Sequence, residues 1–449
     1  MLATPDNLNT ASPTTKIGRY RWTICALVFY ATTINYLDRQ VISLLKPTLE
    51  KEFHWTETDY SDIVVAFQFA YAIGMLFAGR IIDKIGTKLG YAITLTLWSI
   101  ASVLHAFATG ALSFAIYRGF LGVTEAGNFP AAFKTTAEWF PRKERAYAAG
   151  IFNSGTNVGA ILAPILVPFI AINYNWRIAF IAIGAIGFIW LIFWFIFYDV
   201  PAKQKRLSQA EFDYIHSDAE EPPAKEGTEE KPQISWGSLL RYKQTWAFIM
   251  GKFLTDGIWW FLLFWLPAFL DAQYHLTGMQ VSLPIAFVYT LAGVASVFGG
   301  WLPMWLVKKK HWNVVRARKT SMFIYALFPL LIIFSQAAGS YHMWYAIIII
   351  GIAASAHQAW SANLFTTVSD MFPKNSVASV TGIGGMAGGL GGMLISTLAG
   401  LLFDYYKGLG SIETGYYMLF LYCGAGYLLA WLIMFKILVP HMKPISNKY

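Results

Sequence analysis

Long apolar runs recur along the whole chain, separated by short polar segments. A bilayer core about 30 Å thick is crossed by roughly 20 apolar residues in a helix. On that scale the sequence predicts twelve spans, numbered 1 to 12 in chain order, at 21–45, 59–79, 88–107, 111–134, 145–170, 176–198, 245–270, 279–306, 320–338, 341–368, 377–404 and 413–437. The pattern therefore predicts an all-α integral membrane protein with twelve transmembrane helices.

A polar stretch divides the spans into two sets of six. We predict a six-helix bundle at 21–198, a linker at 199–244 and a second bundle at 245–437, with tails at 1–20 and 438–449. Ser208-x-x-Glu211 in the linker has the form of a capping box that starts a short amphipathic helix. The short polar segments that lie on the same side of the membrane as both termini hold 19 Lys and Arg residues, and those on the opposite side hold 4. Because cytoplasmic loops are enriched in these residues, we place both termini and the linker in the cytoplasm, as in a bacterial inner-membrane protein.

The two sets of six spans resemble each other at a constant offset of 232 residues. Phe140 and Pro141 match Phe372 and Pro373 at this offset, and several glycines match as well. An even number of spans separates the copies, so both run through the membrane in the same direction. Parallel repeats of this kind form two pseudo-symmetric bundles with a binding site between them, near the midplane.

Composition excludes several classes of protein. Only 13% of residues are charged and 56% are hydrophobic, against roughly a quarter charged in soluble domains. The net charge of +9 is spread over short loops, so we expect no nucleic-acid partner. Cys25 and Cys423 lie far apart in apolar segments, which indicates neither a disulfide nor a metal site. The sequence has no nucleotide-binding or catalytic motif, so we expect a transporter without a cofactor, not an enzyme or an ATP-driven pump. As a separate expectation, the transporter functions as a monomer.

Span 1 contains the polar cluster Asn35-Tyr36-Leu37-Asp38-Arg39-Gln40. An ionisable side chain inside a span is costly and therefore needs a partner or a function. Asp38 and Arg39 are adjacent and point in different directions around the helix, so they do not neutralise only each other. Arg39 can present a planar fork to a carboxylate, and a buried carboxyl group such as Asp38 can take up a proton. The alternative is a structural ion pair with another helix.

Span 4 carries a second charged pair, Arg118 and Glu125. Seven residues make about two helical turns, so both side chains share one face at a separation of about 10 Å. That spacing excludes direct contact but suits a relay that includes Asp38 or a substrate. The segment Ala126-Gly127-Asn128-Phe129-Pro130 follows and loosens the helix. We interpret Glu125 as a proton site, with a packing role as the alternative.

The second set of spans offers fewer charges. Lys252 and Asp256 are four residues apart in span 7 and can pair within the helix, as a structural or a gating pair. In span 10, His357 is the offset-232 counterpart of Glu125 and precedes Gln358. This histidine is either a buried, hydrogen-bonded core residue, a proton carrier or a contact for sugar hydroxyls. Other side chains that could line a carbohydrate-sized cavity, or simply pack between helices, are Tyr71, Asn153, Trp259, Trp260 and Trp360.

Span 11 is rich in glycine, with eight between Thr381 and Gly400. Small residues allow membrane helices to approach closely. The pattern predicts close packing of this span, which suits either a moving or a static helix.

The loop between spans 2 and 3 resembles the signature loop of the major facilitator superfamily. It reads Gly79-Arg80-Ile81-Ile82-Asp83-Lys84-Ile85-Gly86-Thr87-Lys88, with threonine at position 87 where a basic residue is usual. The resemblance implies transport by alternating access. It also implies that Asp83, with basic residues such as Lys84, latches the two halves on the cytoplasmic side.

Three further segments resemble the anion:cation symporter branch of that superfamily. They are the Asn-Tyr-Leu-Asp-Arg motif of span 1, the stretch from Arg118 to Glu125, and the Glu-Trp-Phe-Pro-x-Lys-Glu-Arg sequence that ends at Arg145. Lys252-Phe-Leu-Thr-Asp256, the Trp259-Trp260 pair, Thr87-Lys88-Leu89-Gly90-Tyr91 and His357-Gln358-Ala359 resemble hexuronate transporters in particular. The resemblance covers nearly the whole chain.

This resemblance implies proton-coupled import of glucuronate or galacturonate. Arg39 would bind the substrate carboxylate, and Arg118 would tune Glu125. The substrate-binding residues would be Arg39, Tyr36, Tyr71, Arg118, Asn153, Trp259, His357 and Gln358, the proton-coupling residues Asp38 and Glu125, and the gating residues Asp83, Lys84, Lys252 and Asp256. Galactonate-type relatives use an asparagine of span 11 where this chain has Gly385. The alternative substrate is another organic anion, such as an aldonate, glucarate or a small aromatic carboxylate.

Overall fold

The computed structural model describes residues 17–217 and 235–445, and in these two ranges the chain is helical with no β-strand. The helices are α1 Tyr20–Phe53, α2 Glu57–Ile85, α3 Thr87–Leu104, α4 Ala111–Glu125, α5 Asn128–Trp139, α6 Arg142–Asn173, α7 Trp176–Phe197, α8 Gln209–Ile215, α9 Trp236–Leu239, α10 Lys243–Tyr274, α11 Ser282–Gly299, α12 Trp301–Lys310, α13 Val314–Leu327, α14 Ser335–Gly339, α15 Met343–Met371, α16 Lys374–Gly408 and α17 Ile412–Leu432. The prediction of an all-α membrane fold is confirmed.

Ten helical segments of the described chain are long and apolar enough to cross a membrane. They coincide with ten of the twelve predicted spans. Spans 1 and 4 do not reach this threshold, because α1 carries charged residues in its middle and span 4 is divided between α4 and α5. The count of twelve therefore stays a prediction for these two spans.

Several of the long helical segments are interrupted. Helix α4 ends at Glu125 and α5 begins at Asn128, at the position where the sequence predicts a loosened helix. Gly127 packs so closely on Thr94 of α3 that a side chain there would overlap it. The last turn of the chain's final long helix, Ile433–Leu438, is π-helical. Such breaks place individual side chains and are often found at functional sites.

Both ends of the described chain lie beside the linker. The Tyr20 hydroxyl donates to the Phe197 carbonyl, and the Gln244 side chain donates to the Lys443 carbonyl, at 2.7 and 3.0 Å. We name this face the linker side and the opposite face the far side. The helical segments before and after the linker, residues 20–197 and 243–438, are named the first half and the second half.

The two halves contact each other near the far side through two helix pairs. In the α2–α16 pair, a Cβ atom added to Gly400 would lie 2.5 Å from Cβ of Ser61, and one added to Gly389 would lie 2.9 Å from Cβ of Ala72. In the α6–α11 pair, the Ser282 hydroxyl donates to the Pro164 carbonyl. These contacts are possible because small residues line the facing surfaces.

Toward the linker side, three glycines of the two halves have open space beside them. A Cβ atom added to Gly382 of α16, to Gly150 of α6 or to Gly300 beside α12 would meet no described atom within 4 Å. Among the described residues, the hydrogen bonds and ion pairs that join the two halves lie toward the far side.

Charged side chains reinforce the closed far side. Lys407 of α16 pairs with Glu50 of α1 and, at 3.2 Å, with Glu57 of α2. Asp404, one turn earlier on α16, accepts hydrogen bonds from the backbone N–H groups of Glu57 and Thr58, both at 2.8 Å. A carboxylate from the second half thus caps the N-terminus of α2, where unpaired N–H groups favour a negative charge.

On the linker side, the short helix α8 joins the first half. Ser208 caps it by accepting a hydrogen bond from the Glu211 N–H, as the sequence predicts. The Glu211 carboxylate, however, accepts from the N–H groups of Tyr20 and Arg21, each at 3.0 Å. The predicted reciprocal capping box is replaced by a cap on α1, because Glu211 is buried beside that helix terminus.

Parts of three predicted segments fall outside the described residues. These are the first 16 residues of the N-terminal tail, linker residues 218–234 and the last four residues of the C-terminal tail. The proposed domain boundaries accordingly stay a prediction.

Candidate functional site

Arg39 and Glu125 form an ion pair in the interior of the first half. Arg39 Nε lies 2.7 Å from Glu125 Oε2, and the two side chains are 1% and 0% exposed. Helix α1 contributes the arginine, and the last residue of α4 contributes the glutamate. Burying two charges is expensive, and the mutual attraction offsets that cost only while both partners are present.

Aromatic rings surround the Arg39 guanidinium. Its Cζ atom lies 4.6 Å from the ring centre of Tyr71, 4.8 Å from that of Tyr36 and 5.4 Å from that of Trp260. Ring faces stabilise a cation that has lost its water. Because Trp260 belongs to α10, this arginine lies at the boundary between the halves.

Arg118 touches the same cluster without pairing with Glu125. Its Nη2 atom donates to the backbone carbonyl of Arg39 at 2.6 Å, and its side chain is fully buried. The predicted separation of Arg118 and Glu125 along α4 agrees with this geometry. Arg118 therefore adds positive charge near Glu125 and fixes the backbone of α1.

Asp38 points away from Arg39, toward α3. The Ser102 hydroxyl donates to Asp38 Oδ1 at 2.6 Å, and the side chain is 1% exposed. The sequence predicts different directions for these adjacent charges, and the structure shows Asp38 directed to Ser102 and Arg39 to Glu125. Asp38 has no ion-pair partner among the described residues.

Several polar atoms of this cluster are buried without a hydrogen-bond partner in the described chain. They are Asp38 Oδ2, Arg39 Nη2, Glu125 Oε1, and Arg118 Nε and Nη1, together with both amide atoms of Asn35. Leaving such atoms unpaired costs about 1–3 kcal/mol each. The cluster therefore has spare hydrogen-bonding capacity suited to a proton, water or an anionic ligand.

The second half presents a different surface. His357 Nδ1 lies 2.7 Å from the Tyr427 hydroxyl, and the imidazole stacks on Trp259 with ring centres 4.9 Å apart and an interplanar angle of 11°. Gln358 follows on α15 and is half-buried. His357 is thus held in one orientation by an aromatic ring and a hydroxyl, whereas its counterpart Glu125 is held by a charge.

Lys252 and Asp256 pair within α10, as their spacing predicts. Lys252 also lies 4.6 Å from the ring centre of Phe365, and Asp256 packs against Gly388 of α16. Both partners lie on one helix, so their separation does not change when the halves move.

Three predicted site residues lie apart from the buried cluster. Asn153 is exposed on α6. Asn157, one turn further along α6, packs against α11, since a Cβ atom added to Gly293 would lie 3.4 Å from the Cβ atom of Asn157. Asp83 pairs with Lys134 at 2.8 Å, and both belong to the first half. Lys84 is exposed and forms no ion pair with any described residue. Among the described residues, the ion pair of the signature loop therefore lies within the first half.

Sequence reasoning missed Gln68 of α2. Its side chain is fully buried, and both amide atoms lack hydrogen-bond partners in the described chain. The side chain packs against α16, since a Cβ atom added to Gly392 would lie 3.1 Å from Gln68 Nε2. Gln68 lies one helical turn before Tyr71 and shares a helix face with it. Because Tyr71 was a candidate site residue, this shared face could have identified Gln68 as a further candidate. Tyr427 and Ser102, which orient His357 and Asp38, gave no comparable signal because their partners are distant in sequence.

The chain matches the family model "Major Facilitator Superfamily" over residues 28–396 and belongs to that superfamily. It is a membrane transporter and not an enzyme. A crystal structure of a D-xylose-proton symporter is similar with a TM-score of 0.74 at 16% identity, and the match covers 95% of this chain and 100% of that one. At this identity the likeness concerns the fold alone.

Two relatives are more similar in sequence. The hexuronate transporter of Escherichia coli (strain K12) is 34% identical over 390 residues, which cover 87% of this chain and 89% of the relative. The galacturonate transporter of Dickeya chrysanthemi is 33% identical over 312 residues, covering 70% and 90%. The resemblance stated from the sequence motifs is thereby confirmed.

Proposed function

We propose that the protein imports a hexuronate, glucuronate or galacturonate, together with protons by alternating access. The observation that carries the proposal is the buried Arg39–Glu125 pair, which lies at the boundary between the halves within a ring of aromatic side chains. The names of the two sequence relatives support a sugar acid as the substrate. An arginine guanidinium suits a carboxylate, and tyrosine and tryptophan rings suit the faces of a sugar.

Coupling follows from competition for one guanidinium. While Glu125 is ionised it occupies Arg39 through Nε. When Glu125 takes up a proton, its attraction for Arg39 falls and the fork becomes available to the substrate carboxylate. Substrate binding then favours the protonated glutamate, and by reciprocity protonation favours substrate binding.

Asp38 provides a second carboxyl group for protons. It lies on the same turn of α1 as Arg39 and is held by Ser102 instead of a cation. In the proposal, Arg118 tunes Glu125 through its positive charge and keeps α1 in register through the Arg39 carbonyl. One proton per anion makes transport electroneutral, and a second proton lets the membrane potential contribute.

The second half supplies shape and hydroxyl contacts. Trp259, oriented by its stacking on His357, forms part of the wall opposite Arg39 in the proposal, with Gln358 and Asn153 as additional hydrogen-bonding groups. Tyr36 and Tyr71 complete the wall on the first half.

In the proposal the linker side faces the cytoplasm of a bacterial inner membrane. The contacts that join the halves at the far side then correspond to a state closed to the outside. Return to the outward state requires the Lys407 and Asp404 contacts to break and the linker side to close. Asp83 and Lys84 would act as gates in that closed linker side, with Lys252 and Asp256 supporting the moving helix pair.

The proposal is tested by uptake of labelled glucuronate and galacturonate into proteoliposomes, with and without an inward proton gradient. We expect accumulation against the substrate gradient only when the proton gradient is present. If folded protein gives no uptake, hexuronate is excluded, and the same vesicles are tested with an aldonate, glucarate and a small aromatic carboxylate. Accumulation that ignores the proton gradient would exclude proton symport.

A further inference from the structure

A cavity of about 450 Å³ lies on the linker side of the second half, apart from the site described above. It opens between α13 and the end of the chain's last long helix, where the π-helical turn Ile433–Leu438 lies. Its lining includes Arg316, Lys319, Thr320, Phe323, Trp431 and Lys436. The cavity thus combines three cations with two aromatic rings.

The three cations have no carboxylate partner among the residues that the structure describes. Among the described residues, none of Arg316, Lys319 and Lys436 forms an ion pair. By contrast Arg318, also on α13, pairs with Asp370 of α15 at 2.6 Å. Like charges brought together without an acidic residue repel one another, so this cavity favours an anion.

Neighbouring groups hold the cations in place. The Arg316 guanidinium lies 4.3 Å from the ring centre of Trp312, and Lys436 Nζ lies 5.8 Å from that of Trp431. Lys319 Nζ donates to the Pro440 carbonyl at 2.8 Å, and the Trp431 indole N–H donates to the Lys319 carbonyl at 2.9 Å. Arg316 and Lys436 therefore keep their charged groups free for a ligand, while Lys319 also serves the local fold.

The apolar part of the cavity points along α13 away from the linker side. Phe323 is seven residues beyond Arg316, about two turns deeper, and its ring centre lies 4.8 Å from that of Trp431. Phe323 is 38% exposed on the surface of the helix bundle. The cations lie at the level of the helix ends and the rings lie deeper, which is the polarity of a phospholipid in the bilayer.

We propose that this cavity binds the head group of an anionic phospholipid from the leaflet on the linker side. Arg316 and Lys436 contact the phosphate, and the Thr320 hydroxyl offers a further hydrogen bond. Phe323 and Trp431 contact the first part of an acyl chain. Basic pockets between membrane helices recognise anionic head groups in this way, because the phosphate offsets the repulsion between the cations.

The test measures lipid binding to the full-length protein in detergent by native mass spectrometry. Phosphatidylglycerol is compared with phosphatidylcholine of the same acyl composition. We expect tighter binding of phosphatidylglycerol, and a loss of about 25-fold in Arg316→Gln/Lys436→Gln, since each cation near an anionic lipid contributes roughly fivefold. The matched control, Lys308→Gln/Lys309→Gln, removes two exposed cations of the same side that do not line the cavity, and should therefore leave binding close to that of the wild type.

Two further arms separate a lipid from a free phosphate. Phe323→Ala should weaken phosphatidylglycerol binding severalfold, and inorganic phosphate should not displace the lipid. An equal loss of phosphatidylglycerol binding in the control variant would show that general surface charge causes the effect, and would overturn the proposed site. Displacement by inorganic phosphate, with no effect of Phe323→Ala, would instead assign the cavity to free phosphate and overturn the lipid proposal.

Discussion

The two halves are related by an internal repeat, yet their walls at the central boundary differ in chemistry. In the first half, Arg39 and Glu125 are paired across two helices and both are fully buried. In the second half, the position equivalent to Glu125 is His357, held by Trp259 and Tyr427 and without an ion-pair partner among the described residues. At this boundary the ion pair that joins two helices lies in the first half, whereas the charges of the second half, Lys252 and Asp256, pair within α10.

This asymmetry has a physical basis. A buried charge is costly and needs a partner close by, and a partner on another helix can separate from it when helices move, whereas a partner on the same helix cannot. Aromatic rings need no partner and stabilise a ligand through contact area and shape. We infer that the first half couples proton uptake to transport and that the second half provides shape complementarity to the substrate. The following substitutions test that division.

Arg39→Ala should have the largest effect. It removes the group that holds the substrate carboxylate and leaves Glu125 as an unpaired buried charge, which costs about 3–5 kcal/mol. We expect uptake in proteoliposomes to fall more than about 100-fold, with no measurable substrate binding. Arg177→Ala is the control, because Arg177 pairs with Glu52 on the far side and is half exposed. Retained binding in Arg39→Ala would remove this residue from the substrate site.

Glu125→Gln should separate exchange from accumulation. The amide keeps the size of the side chain but cannot exchange a proton, so substrate should still pass down its gradient. We expect counterflow of labelled substrate to persist while gradient-driven accumulation is lost. The exposed Glu413 provides the control Glu413→Gln, which should behave as wild type. Normal accumulation in Glu125→Gln would exclude Glu125 from proton coupling.

Trp259→Ala should weaken substrate affinity without changing coupling. Loss of a buried ring at a binding wall costs about 1–2 kcal/mol, which corresponds to roughly tenfold in KM. The dependence of uptake on the proton gradient should be unchanged. Trp246→Ala, which removes a half-exposed ring of the same helix, is the matched control. A change in the proton dependence of Trp259→Ala would place coupling in both halves.

The double substitution Lys252→Gln/Asp256→Asn should have the smallest effect. The pair lies within one helix, and removal of both charges leaves neither one buried alone. We expect proton-driven accumulation to persist, with an initial rate lowered less than about threefold. The single variants should be more harmful than the double one. Loss of accumulation in the double variant would give this pair a coupling role.

Features confined to one helix were readable from the chain. The spans, their polar interruptions and the break after Glu125 depend on composition and local geometry. The Lys252–Asp256 pair depends only on the helical repeat, and the same repeat separates Arg118 from Glu125. The differing directions of Asp38 and Arg39 have the same origin.

Contacts between distant segments depended on the tertiary structure. Arg39 meets Glu125 across 86 positions, Glu211 caps α1 across 190 and Asp404 caps α2 across 347. Residue spacing fixes distances along a helix, but it places no limit on which helices pack together or how each rotates about its axis. Packing decided those rotations, and with them the partner of every buried charge that is shared between helices.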